Sequence, residues 1–126
     1  MANLLSVALG GALGAALRYG VSLCLPRGAA DSFPTGTWLV NVLGCLAIGA
    51  LVAGWHPSEA MPPRLRFFVV TGFLGAFTTF SAFGLETYAL LNSGARLQAL
   101  AYVAASLGVG LGAVAGGYYL GARIAG

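Results

Sequence analysis

Few side chains in this sequence can do chemistry, and nearly all of them lie inside apolar segments. Thr78, Thr79 and Ser81 place three hydroxyls within four residues of the stretch TGFLGAFTTFSAF, residues 71–83. Phe73, Phe77, Phe80 and Phe83 run through the same stretch at spacings of four, three and three. On a continuous helix that spacing lines four rings along one face. Gly72 and Gly75 lower helix propensity there, and hydroxyls compete for backbone hydrogen bonds. A helix that breaks at these glycines frees backbone carbonyls at membrane depth. Such carbonyls are tolerated only inside protein or beside water, where they can bind a cation. The rings have a plain role in packing, but they also offer another chemistry. An aromatic ring is positive at its edge, so rings presented edge-on can line a path for a small anion without a full charge to trap it.

The other polar groups fit the same chemistry or plainer ones. Asn41 is the sole strongly polar residue of its apolar segment, and its amide carries two N–H donors and one acceptor. It would serve an interhelical hydrogen bond or, together with ring edges and hydroxyls, a small, hard, strongly hydrated anion. Ser106 lies four residues after Tyr102, on the same helix face. A serine in a membrane helix ordinarily satisfies itself on a backbone carbonyl. Glu86 is the only acid within an apolar segment and lies toward the membrane interface, where a solvated carboxylate is expected. Arg18 either snorkels to the interface or faces a water-filled vestibule, where its charge would favour entry of anions.

These residues are positioned by a chain of 126 residues that is 59% hydrophobic and only 7% charged, with a mean hydropathy of +0.89. A soluble domain would carry about a quarter charged residues, so the chain is an integral membrane protein. Its six basic residues, all Arg, are spread singly and make no nucleic-acid footprint. No nucleophile–base set, acid pair or metal-ligand cluster points to an enzyme. Cys24 and Cys45 form no CxxC pair and read as small packing residues, and His56 reads as an interfacial histidine beside Trp55. The N-terminus lacks a basic region, so no cleavable signal peptide is expected, and no large soluble domain fits.

A membrane-spanning helix needs roughly 20 apolar residues. Four segments qualify, at about residues 3–25, 36–55, 66–91 and 96–122, in one domain over 1–126. Pro26, Pro34, Pro57, Pro62 and Pro63 fall in the first two connections, and Asn92, Ser93 and Gly94 make the third. Four spans put both ends on one side, with Arg64, Arg66 and Arg123 against Arg27 and Arg96 opposite. So small a bias is compatible with insertion in both orientations, and hence with an antiparallel dimer. Gly10 and Gly14, Gly108, Gly112 and Gly116, and Gly117 and Gly121 have the GxxxG spacing that lets helices approach closely in lipid.

The strings GGALGAALRY (10–19), GTWLVNVLGCLAIG (36–49) and GFLGAFTTFSAF (72–83) occur in that order. Together they resemble the bacterial fluoride channel family, Fluc, also called CrcB, and the resemblance spans the whole chain. It implies an all-α membrane protein of four helices with a broken third helix, assembled as an antiparallel dual-topology homodimer in the bacterial inner membrane. Two narrow pores would export fluoride passively from the cytoplasm, lowering its toxicity. The resemblance also implies a structural sodium ion on the dimer axis, held by carbonyls that map to Gly75 and Thr78. Phe80 and Phe83 match the pore phenylalanines and Asn41 the pore asparagine. Thr79 and Ser81 fall in the break, and Arg18 matches a basic residue near a vestibule. Glu86 matches an acid near the pore end. Tyr102 and Ser106 match a fourth-helix polar track whose third place here is Gly110, a departure. The competing class is a small four-helix proton-coupled antiporter of cationic drugs. That mechanism needs an embedded carboxylate in the first helix, where this chain has Arg18. A non-transporting scaffold would leave Asn41 and the polar third segment unexplained.

Overall fold

The computed structural model describes residues 1–25, 32–55 and 61–125, and the described residues are helical apart from short connections. The connecting residues Arg27, Asp31 and His56 lie outside the described residues. Four helices are long and apolar enough to cross a membrane: α1 (Ala2–Cys24), α2 (Thr35–Gly54), α3 (Pro63–Asn92) and α4 (Arg96–Ala125). Span α3 opens three residues earlier than its apolar run, because Pro63 occupies the first turn, where its missing N–H costs nothing. It ends at a glycine turn. Gly94 has φ +84°, and the N–H groups of Gly94 and Ala95 donate to the Leu91 and Leu90 carbonyls at 3.2 and 2.9 Å. That is the reciprocal C-terminal cap in which a left-handed residue closes the last turn.

The helices associate as two pairs. Helix α1 lies against the N-terminal arm of α3, residues 63–77, while α2 lies against α4. Small residues make both seams. A Cβ on Gly14 would collide with the Phe73 carbonyl, and one on Gly117 with the Leu46 carbonyl. Lipid offers no hydrophobic drive between helices, so such close backbone contact supplies the dispersion energy instead. The run Gly108, Gly112 and Gly116 behaves differently. No described residue lies within 4 Å of a Cβ added at any of the three, so this part of the GxxxG pattern makes no close seam among the described residues.

The core is correspondingly small. Leu90, Ala99 and Tyr102 form its best-buried cluster, with Phe33, Trp38 and Phe83 against it. The C-terminal arm of α3 reaches α4 through this cluster and so joins the two pairs. Large apolar side chains such as Leu4, Leu9, Leu85, Leu100 and Leu111 stay exposed, as expected where lipid or further protein replaces water.

Candidate functional site

Helical structure in α3 changes twice before it stops. Residues Phe67–Leu74 form a π-helical stretch, a rare form with i→i+5 bonding that is frequent at functional sites. The glycines do not break the helix: Gly72 lies within the π stretch and Gly75 opens a last turn, Gly75–Phe77. Glycine lowers propensity, but packing of Gly72 against α1, close to the Val7 carbonyl, holds it in place. Instead the chain is extended at Thr78 (φ −89°, ψ 160°) and Thr79 (φ −154°, ψ 118°). Helix resumes at Phe80, where the Thr79 side chain caps it by accepting from the Ala82 N–H at 3.2 Å. The expected single face of four rings is therefore divided. Phe73 and Phe77 stack at 6.0 Å before the interruption, and Phe80 and Phe83 pair at 5.5 Å after it.

Asn41 grips the extended segment. Its Oδ1 accepts from the Thr79 N–H at 2.8 Å, and its Nδ2 donates to the Thr79 carbonyl at 3.1 Å. One N–H of the amide is left over from this pairing. Thr78 closes the first arm, since both its N–H (3.0 Å) and its hydroxyl (2.9 Å) donate to the Leu74 carbonyl. The Gly75 and Thr78 carbonyls are among those that lose their ordinary helical donors at the interruption. The Thr79 N–H that would serve the Gly75 carbonyl goes to Asn41, and the Ala82 N–H that would serve the Thr78 carbonyl goes to the Thr79 hydroxyl. Gly75, Thr78, Thr79, Asn41 and Phe80 line one cavity of about 400 Å³ together with Gly44, Cys45 and Leu74. Phe80 is 82% exposed, and Ser81, also exposed, has its hydroxyl 3.3 Å from that of Thr79.

A second polar group lies one to two turns further along the C-terminal arm of α3. Glu86 is half-buried and accepts two short hydrogen bonds, from the Thr37 hydroxyl and the Tyr102 hydroxyl, both at 2.7 Å. It is thus held by protein donors rather than left to solvent as an interfacial acid. Tyr102 is fully buried, its ring 5.2 Å from those of both Phe33 and Phe83. Its proton is spent on Glu86, so towards the Phe83 side it presents a ring rather than a donor. Phe83 links this cluster to Phe80 and hence to the cavity.

The remaining candidates are placed less centrally. Ser106 does not bond a backbone carbonyl: its oxygen is fully buried with no hydrogen-bond partner, as is Trp38 Nε1, among the described residues. Gly110 is buried, and a Cβ there would sit 3.7 Å from Cys45 Sγ. Arg18 is half-buried on α1 and lines no part of the cavity. Thr37, which the apolar-segment reading does not single out, joins this cluster through Glu86. Its signal was its position, a hydroxyl four residues before Asn41 and so on the same face of α2. Neither cysteine is in a disulfide.

Four apolar spans around a clasped backbone interruption, with an amide, hydroxyls and an exposed phenylalanine beside it, define a small multi-pass membrane protein with polar groups gathered within its apolar spans. Comparison with known proteins narrows that class. The family described as CrcB-like protein, Camphor Resistance (CrcB), matches residues 5–118. A protein named fluoride-specific ion channel FluC from Chloroflexus aurantiacus is 45% identical over 121 residues, covering 96% of both chains. Proteins with the same name from Methylobacterium sp. (49% identical, 91% of this chain and 92% of the relative) and Hyphomonas neptunium (45%, 98% of each) are similar in extent. The chain belongs to the CrcB family.

Proposed function

We propose that this chain is a fluoride channel that exports fluoride passively from the cytoplasm across the bacterial inner membrane and so lowers its toxicity. The observation that carries the proposal is the interruption at Thr78–Thr79, held by Asn41, opening into a cavity that Phe80 borders. Within the wider path, Phe80 and Phe83 offer ring edges, Asn41 its remaining N–H, and Thr79 and Ser81 hydroxyls. Tyr102 and Ser106 continue the path along α4, and Arg18 and Glu86 serve its vestibules. The ring edges, amide and hydroxyls attract a small anion without a fixed counter-charge, which suits weak binding and fast release. Channel activity is not enzymatic, and relatives named as fluoride channels leave the antiporter alternative without support.

The assembly we propose is an antiparallel dual-topology homodimer. The exposure of Phe80 supports it, since a pore residue facing out of one chain needs a second wall. A structural sodium ion would sit between the Gly75 and Thr78 carbonyls of the two copies. The donor set fits: both carbonyls have lost their helical donors, both residues line the cavity, and neutral oxygens suit a hard cation. Efflux from fluoride-loaded liposomes, read with a fluoride electrode, tests the function. Efflux no faster than from empty liposomes would sink it, and equal efflux of chloride would remove the specificity.

A further inference from the structure

We infer that Asn41 is a positioning residue: its amide sets where α3 breaks, and in doing so releases the Gly75 carbonyl from the helix. The role is distinct from contact with an anion, and it concerns the two bonds the amide has already made. An extended residue in the middle of a membrane span has an N–H and a C=O to satisfy, with no water available in the hydrocarbon. A carboxamide matches that need because it carries a donor and an acceptor side by side. At Thr79 both are used, at 2.8 and 3.1 Å. Had the helix run on, the Thr79 N–H would have closed on the Gly75 carbonyl. Asn41 takes that donor and so keeps the Gly75 carbonyl without its helical partner, while Thr78 ends the first arm.

A second feature of α2 moulds the same segment. Gly44 lies three residues after Asn41, on the same face. A Cβ there would collide with the Thr78 methyl group. One face of α2 thus holds Thr79 by its backbone and leaves room for the side chain of Thr78. Thr78 in turn ends the first arm on the Leu74 carbonyl through both its N–H and its hydroxyl. The interruption is fixed from α2 rather than by the glycines of α3, which stay helical.

The link to a cation rests on the sodium reading proposed above, whereas the placing of the break does not. The test uses the full-length chain in detergent micelles with two readouts. Amide hydrogen exchange is followed at Thr79, with the Thr78 amide, bonded to Leu74, as internal control. Melting temperature is followed as sodium replaces potassium. In Asn41→Leu, Thr78 still ends the first arm on the Leu74 carbonyl and the extended Thr79 N–H has no replacement acceptor, so Thr79 should exchange about tenfold faster while Thr78 is unchanged, the change expected for losing one bond locally. The sodium-dependent rise in melting temperature should shrink with it. Asn41→Asp keeps the acceptor and should keep Thr79 protected. Unchanged Thr79 exchange in Asn41→Leu, or an increase shared equally by Thr78, overturns the inference. If Asn41→Leu yields no folded protein, Asn41→Ala decides: unchanged Thr79 exchange overturns the inference, and faster exchange at Thr79 with Thr78 unchanged supports it. A wild-type chain indifferent to sodium defeats the cation reading alone, and Thr79 exchange still decides the role of Asn41.

Discussion

Replacing Tyr102 by Phe isolates a single interaction in the best-packed part of the molecule. The side chain is fully buried, and its ring contacts with Phe33 and Phe83 survive the change. The one interaction lost is the 2.7 Å bond to Glu86 Oε2. A hydrogen bond to a charged group contributes about 1.5–3 kcal/mol, and apolar burial is untouched, so Tyr102→Phe should destabilise by that amount. Thr37→Val removes the matching bond to Oε1 and should cost a similar sum. Either single change leaves the carboxylate one donor, while the double change leaves a half-buried acid with neither. The double cost should therefore exceed the sum of the singles by about 1 kcal/mol or more. Reversible unfolding in mixed micelles, followed by tryptophan fluorescence, reads these differences, since Trp38 packs beside the cluster. Fluoride efflux should fall furthest in the double variant, where an unheld negative charge stands near the anion path. A Tyr102→Phe protein within about 0.5 kcal/mol of wild type, or strictly additive costs, would refute the claim that Glu86 is held by these two donors.

Phe80→Ile and Phe83→Ile keep bulk but remove the ring edge. Each should lower fluoride efflux from liposomes while the dimer persists by size-exclusion chromatography, and unchanged efflux in both would end their pore role. Ser106→Ala deletes a buried hydroxyl that has no partner among the described residues, so stability should hold or rise, by up to about 1–3 kcal/mol, while efflux falls. Lower stability would show that the hydroxyl is satisfied structurally. Gly117→Ala drives a Cβ into the Leu46 carbonyl and should cost about 1–3 kcal/mol. Gly112→Ala meets nothing within 4 Å of its chain and should gain up to about 1 kcal/mol in helix propensity. Loss of dimer in Gly112→Ala would instead mark that face of α4 as a contact with the second copy.

The spans were legible because apolar runs of bilayer length separated by proline and glycine admit few other readings. Asn41, Thr78 and Thr79 were legible as unusual residues in an apolar setting. Their relationship was not, because nothing in linear order pairs residue 41 with the backbone of residue 79. Propensity pointed to Gly72 and Gly75 as the place where helix fails. It missed because an intrinsic preference of about 1 kcal/mol is easily outweighed, here by the packing of Gly72 against α1. Likewise Glu86 reads as a solvated interfacial acid until Thr37 and Tyr102, from two other helices, are brought to its two oxygens. Long-range polar pairing is what periodicity does not encode.

The two polar groups also explain why so thin a bundle holds its shape. Helix α1 pairs with the first arm of α3 and α2 with α4, through glycine contacts that are close but without direction. Directional bonds are made where the pairs must join. Asn41 ties α2 to α3 at Thr79, and Thr37 and Tyr102 tie α2 and α4 to the second arm of α3 at Glu86. In lipid, where helix pairs gain nothing from excluding water, such bonds fix the register of one pair against the other. The residues at the proposed anion path are therefore also the joints of the fold. Substitutions there should alter conduction and stability together, except at Ser106, whose hydroxyl makes no joint.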